Sequence, residues 1–273
     1  RVEELAQDPT PVYGISTGFG ALARRHIPEE MRAQLQLSLV RSHAAGTGPE
    51  IEEEVIRALM LLRLSTLCTG RTGVRPVVVE TYAKALNAGI VPVVREYGSL
   101  GCSGDLAPLA HCALALLGEG EVRVNGELQD AGAALAAAGI EPLQLREKEG
   151  LALINGTDGM LGQLCLAITD LRAAAKTADI ATAMTMEGLL GTLVVFADDL
   201  QQLRPHPGQA DAAANILQVA EGSQILEAAL EEFKKNQVQD AYSVRCAPQV
   251  AGGFRDTLAH TTQVAERELA AAV

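Results

Sequence analysis

The sequence predicts a mainly α-helical protein, and three observations carry that expectation. Its 273 residues are 48% hydrophobic but only 3% aromatic, with no Trp, so Ala, Leu and Val must supply most of the packing, which favours closely packed helices. Apolar positions recur at three- and four-residue intervals over much of the chain. From Gly150 onward, long Ala- and Leu-rich segments are broken only around residues 203–208, as in an extended helical bundle.

The elements follow in order. A first helix is expected over residues 28–47: Pro28 opens it, Met31, Leu35, Leu39 and Val40 fall at helical spacing, and Gly46 and Gly48 end it. It delivers Arg41, Ser42 and His43 at its end. A second helix follows Pro49, with Ile51, Val55, Leu59 and Leu62 on one face and Gly70 beyond it. A third starts at Pro76 and stops at Gly89. Residues 121–129 alternate Val122, Val124 and Leu128 around Asn125-Gly126, a dipeptide suited to a type I′ turn, and predict a small β-hairpin. A boundary near residue 150 separates 1–150 from a bundle in 151–273. The last helix, from about Asp256 to Val273, has no Gly, Asn or Pro to close it, so the chain reads as a portion of a longer protein.

Composition excludes several classes. Lys and Arg total 22 against 34 Asp and Glu, a formal charge of -12, which disfavours nucleic acid and anionic membranes as partners. No run is expected to reach the length of a bilayer span, and Arg1 opens the chain without the regions of a signal peptide, so a cytoplasmic protein is expected. Five scattered cysteines argue for reduced thiols. The five histidines are far apart, with no pair at zinc-ligand spacing, so no metal is expected.

Five segments invite chemistry. In GSLGCSGDLAPLAH, residues 98–111, three glycines surround Cys102 and Ser103 before an apolar helix; the residues by themselves read as a tight turn capped by Ser103 or Asp105. The hydrolase elbow G-x-S-x-G is not met, because Asp105 follows Gly104. VYGISTGFGALA, residues 12–23, has the glycines of a phosphate loop but neither a preceding buried strand nor Lys-Ser/Thr, leaving a glycine-rich loop with a packed Tyr13. Asn155, in GLALINGTDG, reads as a helix cap. Gln239, Tyr242 and Arg245 recur every third residue in VQDAYSVRCAPQVAG and would share a helical face, either solvated or with Arg245 paired to Asp240. His43 alone would be a structural helix histidine.

Taken together and in this order, YGxxTGFG, GCSGDLAPL and QDxYSxRCxPQ resemble the aromatic amino acid ammonia-lyases, which make methylidene-imidazolone from their own backbone. RPHPGQ at 204–209 and GFRDTLAHT at 253–261 extend the resemblance through nearly the whole chain. It implies an aspartase/fumarase-like helical lyase fold, with residues 1–150 as the domain carrying the electrophile loop and 151–273 as the start of an incomplete central bundle. It also implies a cofactor built from Cys102, Ser103 and Gly104, with no external cofactor. The Gly104 nitrogen attacks the Cys102 carbonyl carbon, and two dehydrations turn Ser103 into the methylidene. Cys102 stands where Ala is commoner and contributes no thiol chemistry.

By the same resemblance Tyr13 is the catalytic base, a role that needs phenolate; an ordinary tyrosine titrates at about 10, so such a base needs hydrogen bonds, nearby positive charge or alkaline pH. Asn155 binds near the substrate amine, Arg245 the carboxylate, and Gln239 and Tyr242 line the same site. Ser42-His43 is similar to the histidine-specific selector, which points to L-histidine as substrate and trans-urocanate as product of a non-oxidative elimination. Family chains continue with a phenylalanine-containing segment and a glutamate and are usually homotetramers, so further copies or a complementary C-terminal chain are expected partners. Two alternatives stay open: an aminomutase using the same electrophile, and a noncatalytic lyase fragment.

Overall fold

The computed structural model describes residues 1–236 and 238–271. Two compact units are formed, one built on Arg1–Leu164 and the other on Cys165–Glu268. The expected mainly α-helical architecture is present in both, and the small sheets lie in the first.

The first unit opens with α1 (Val2–Gln7), a glycine-rich loop holding a 3-10 turn at Gly20–Leu22, α2 (Glu29–His43), β1 (Thr47–Glu50), α3 (Glu53–Cys68) and α4 (Pro76–Asn87). It continues through β2 (Ile90–Pro92), β3 (Arg95–Tyr97), α5 (Leu106–Leu116), β4 (Glu121–Val124), β5 (Glu127–Asp130), α6 (Ala131–Ala137) and α7 (Glu149–Ile154), and ends on the first turns of α8 (Asp158–Gly188). Helix α2 stops at His43, short of the expected residue 47, and the second helix begins at Glu53. The cause is tertiary. Residues 47–50 pair antiparallel with β3, Gly48 takes a φ of +89°, and a Cβ there would stand 2.5 Å from the Tyr97 ring.

The hairpin forms as expected, with Asn125 (φ 52°) and Gly126 (φ 80°) both left-handed, as a type I′ turn requires. Strand β2 was not foreseen; it pairs with β4 and gives the order β2-β4-β5. Three residues, all buried, are too few to show alternation. The core packs Val40 of α2, Ile56, Leu59 and Met60 of α3, Tyr82 of α4, Leu109 and Leu116 of α5 and Leu153 and Ile154 of α7 into one cluster. Each such side chain contributes roughly 1.5–3 kcal/mol by leaving water.

The second unit contains the rest of α8, a 3-10 turn at Leu193–Phe196, α9 (Asp198–Gln201), α10 (Pro207–Val219), α11 (Gln224–Asn236), α12 (Tyr242–Arg245) and α13 (Ala247–Leu269). The helices are interrupted more often than the single expected break. Met186, Phe196, Ala213, Ile216 and Leu226 form a smaller core. Helices α10 and α13 cross at glycines: a Cβ on Gly208 would lie 2.6 Å from the Gly252 carbonyl oxygen, and the Gly208 N–H donates to Asp256 Oδ1 (2.8 Å). The RPHPGQ and GFRDTLAHT segments therefore meet in this crossing. Arg255 pairs with the buried Asp179, which also accepts from Asn215 Nδ2 (2.8 Å). Of the expected terminal helix, Ala272 and Val273 lie outside the described residues.

The stretch Glu149–Gly188 is, by length and composition, apolar enough to cross a bilayer, which corrects the expectation that no run reaches that length. Asp170, Arg172, Lys176 and Asp179 interrupt α8, and a charge at bilayer depth costs about 2.5–3.5 kcal/mol. One of these, Asp179, is buried and paired with Arg255 inside the second unit.

Candidate active site

Residues 98–105 join β3 to α5. Gly101 is left-handed (φ +65°), and Asp105 occupies the N-cap position of α5 without capping it. Its carboxylate is 2% exposed and turns back into the loop, where Oδ2 accepts the Ser99 hydroxyl (2.9 Å) and Oδ1 accepts the Leu100 N–H (2.7 Å). Ser99 Oγ in turn accepts the Gly101 N–H (3.2 Å). These bonds anchor the loop's base and leave Cys102 and Ser103 exposed at its tip. A Cβ on Gly104 would meet only Cys102 Sγ, at 3.7 Å.

Tyr13 is half-exposed; its ring meets Phe19 edge to face, and its Oη accepts the Gly20 N–H (3.2 Å). This glycine-rich loop is tied to α7 through the buried Gln36 of α2, whose Nε2 donates to the Gly14 carbonyl (3.3 Å) while Oε1 accepts the Leu151 N–H (3.2 Å). Gly14 (φ +72°) and Gly150 must both lack a side chain: a Cβ on either would stand within 2.9 Å of Leu151 or Gln36.

At the end of α2, Nδ1 of His43 lies 2.9 Å from the Leu39 carbonyl oxygen and 3.0 Å from Ser42 Oγ, and the Ser42 hydroxyl donates to the same carbonyl (2.9 Å). A carbonyl can only accept, so in the neutral tautomer whose Nδ1–H donates to Leu39, Nε2 is the free acceptor. Beyond it the chain turns at Gly46, whose N–H donates to His111 Nε2 of α5 (3.0 Å). A Cβ on Gly98 would lie 3.1 Å from Gly46 Cα, so the segment following Ser42-His43 and the start of the 98–105 loop are adjacent. Burial, with a smaller push from Arg95, holds the His111 imidazole below its usual range and keeps Nε2 an acceptor.

Asn155 closes α7 in an extended conformation, exposed, with its carbonyl accepting from Arg63 Nη1 of α3 (2.9 Å). The same Nη1 donates to Asp158 Oδ2 (3.1 Å), the first residue of α8, in an ion pair whose side chains are 3% and 9% exposed. A Cβ on Gly159 would lie 3.8 Å from Asp105 Oδ2, which places the turn at residues 155–158 beside the 98–105 loop. The first unit thus gathers the segments bearing Tyr13, His43, Cys102, Ser103, Gly104 and Asn155.

Gln239, Tyr242 and Arg245 belong to the second unit, and the shared helical face expected for them is not formed. Helix α12 is a single turn that begins at Tyr242, so Gln239 precedes it and is exposed. Asp240, the suggested partner of Arg245, instead accepts the Thr192 N–H (3.0 Å), which holds this segment out of the helix. Tyr242 and Arg245 do meet: the guanidinium carbon lies 5.1 Å from the ring centroid, and Arg245 Nε is buried without a hydrogen-bond partner.

The first unit thus presents an exposed Cys-Ser tip bounded by Gly101 and Gly104 and anchored through Asp105, and a glycine-rich loop that carries Tyr13. The chain belongs to the aromatic amino acid lyase family, matching it over residues 1–273, and members of this family are in general methylidene-imidazolone enzymes. It is similar to histidine ammonia-lyase of Streptomyces avermitilis, 63% identical over 273 residues that make up 100% of this chain and 53% of that protein. Among solved structures it resembles tyrosine aminomutase from Streptomyces globisporus (TM-score 0.87, 40% identity, 99% of this chain and 54% of that one). Histidine ammonia-lyase from Trypanosoma cruzi is also similar (TM-score 0.83, 37% identity, 99% and 49%). The chain spans about half the length of the relatives it matches.

Sequence reasoning missed Gln36, Arg63 and His111. Arg63 carried a signal, since it stands four residues after Leu59 and four before Leu67 within an apolar stripe, where a cation needs a buried partner. His111 closes the GCSGDLAPLAH segment but had no sequence-local partner. Among the described residues, no cluster of His, Cys, Asp or Glu could hold a metal ion.

Proposed function

We propose that this chain is the electrophile-bearing portion of a histidine ammonia-lyase, which eliminates ammonia from L-histidine to give trans-urocanate. The observation that carries the reading is the loop of Ser99–Asp105, anchored at its base, with Cys102 and Ser103 exposed and Gly104 half-buried behind them. These residues fit an imidazolone: Ser103 supplies the hydroxyl that leaves, Gly104 an amide nitrogen with no side chain beside it, where a Cβ would meet only Cys102 Sγ at 3.7 Å, and Cys102 the carbonyl carbon, its thiol remaining outside the ring. Once formed, the group supplies an electron sink for loss of the amine.

The chain's own residues do the rest. Tyr13, its Oη oriented by the Gly20 N–H, takes the β-proton. Arg245, with an unpartnered Nε and its face on Tyr242, binds the substrate carboxylate, for which a planar permanent cation is suited. His43 Nε2 accepts the substrate imidazole N–H, a contact that an apolar selector would leave unmade. Asn155 orients the amine, and Gln239 lines the substrate's surroundings. The working enzyme is a cytoplasmic homo-oligomer or a complex with a complementary C-terminal chain.

A second reading, an aminomutase with the same electrophile, rests on the similarity to tyrosine aminomutase. The test is intact-mass measurement followed by incubation with L-histidine. Loss of the mass of two waters and formation of trans-urocanate support the lyase, and a β-amino acid product supports the aminomutase. An unchanged mass with no product makes this a noncatalytic portion.

A further inference from the structure

Beneath Asn155 lies a buried polar arrangement that hydrophobic packing does not require. Arg63 comes from the middle of α3, its side chain 3% exposed, and reaches the turn between α7 and α8. One nitrogen, Nη1, serves two acceptors in that turn: the main-chain carbonyl of Asn155 (2.9 Å) and Oδ2 of Asp158 (3.1 Å). Thr66, one turn further along α3, donates to the Leu62 carbonyl (3.1 Å) and its hydroxyl lies 3.5 Å from Asp158 Oδ1. Gly156 completes the fit, because a Cβ there would stand 2.4 Å from both Arg63 Nη1 and Asp158 Oδ2. The backbone of residues 155–158 is therefore wrapped around a guanidinium at a distance that only glycine permits.

This arrangement is a poor stabiliser. Two charges have been taken out of water, and Arg63 Nε is buried with no partner at all. An apolar pair of similar volume would usually do as well or better for stability. What the ion pair provides is direction: it fixes the carbonyl of Asn155 relative to α3 and to the start of α8, and so fixes where the exposed Asn155 side chain emerges. We propose that Arg63 is a positioning residue for the lyase reaction, setting the Asn155 amide in place by holding that residue's carbonyl against Asp158. The proposal rests on the assignment of Asn155 to the substrate amine given above.

The variants are Arg63→Lys, which keeps the charge and loses the planar fork, and Gly156→Ala, which drives a methyl into the same gap while leaving Arg63 in place. Arg57→Lys, on the exposed side of α3, is the control. With L-histidine, each of the first two is expected to lower kcat by roughly 10- to 100-fold, as misplacement of a substrate-orienting group does, with a smaller change in KM. In an Asn155→Ala background, Arg63→Lys should cost nothing further, because its effect passes through the missing amide. Losses that multiply in the double variant overturn the proposal. The Asn155 side-chain amide resonance, identified by its disappearance in Asn155→Ala, gives a readout that needs no turnover. It should move in Arg63→Lys and Gly156→Ala and stay in Arg57→Lys; an unmoved resonance overturns the proposal. Absence of turnover in the parent chain with a moved resonance sinks the lyase reading and leaves the positioning role standing.

Discussion

His111 Nε2 accepts the backbone N–H of Gly46 across 3.0 Å, and this one bond couples α5 to the segment that follows Ser42 and His43 at the end of α2. Because the imidazole is held below its usual range by burial and then by Arg95, the neutral acceptor is the form the fold favours. The bond's contribution is full above the unfolded value of about 6.5 and declines as pH falls from there through the folded value. His111→Ala should lose about 1 kcal/mol in urea melts at pH 7.5. His111→Gln, with a non-titrating acceptor, should retain more stability and flatten the pH dependence. A slope unchanged in both variants would show that the histidine is not the sensor.

Ser103→Ala removes the only hydroxyl in the exposed triplet, so the intact mass should equal the unmodified sequence and trans-urocanate should not form. Since Ser103 is exposed and makes no anchoring bond, its unfolding free energy should stay within about 0.5 kcal/mol of the parent. Tyr13→Phe should keep the mass loss of cyclisation while cutting kcat by about 100-fold or more. The two variants thereby separate building the electrophile from using it.

Glu149 is 2% exposed and is gripped by Arg75 through Nε (2.8 Å) and Nη2 (2.8 Å), with the N–H of Arg146 also donating to it (2.8 Å). Burial pushes its carboxyl upward, but the Arg75 and backbone bonds outweigh it and leave the group below the ordinary carboxylate range. Its stabilisation is therefore present above about pH 4.5 and lost as pH falls through the folded value. Arg75→Met should destabilise by about 3 kcal/mol at neutral pH, and less in acid, because a buried carboxylate is left without its partner. Thermal melts at pH 7 and pH 4 give the comparison.

Gly252→Ala tests the α10–α13 crossing. The added methyl would sit 2.6 Å from the backbone nitrogen of Gln209, so a backbone must shift, at a cost of about 1–3 kcal/mol. Gly253→Ala, whose Cβ meets nothing within 4 Å, should be neutral or slightly stabilising in the same melts.

Helices α3 and α4 and the β4-β5 hairpin could be read directly because their causes are local. Pro76 starts α4, the 3.6-residue stripe of Val55, Leu59 and Leu67 places α3 against the core, and Asn125-Gly126 dictates a hairpin turn that long-range packing merely accepts. The segments bearing Tyr13, His43, Cys102, Ser103, Gly104 and Asn155 were equally legible, since each keeps its residues within a few positions. The strands β1, β2 and β3 were not, because three or four residues carry no periodicity and each exists only through a distant partner. Gln239 was misread for the opposite reason: its spacing suits a helix, but Asp240 is committed to Thr192, 48 residues away. Arg63 under Asn155, Gln36 between Gly14 and Leu151, and His111 beneath Gly46 share that origin. Local order follows from propensity and period, whereas a buried hydrogen bond between distant residues is set only when packing excludes water and leaves each polar group one partner to find.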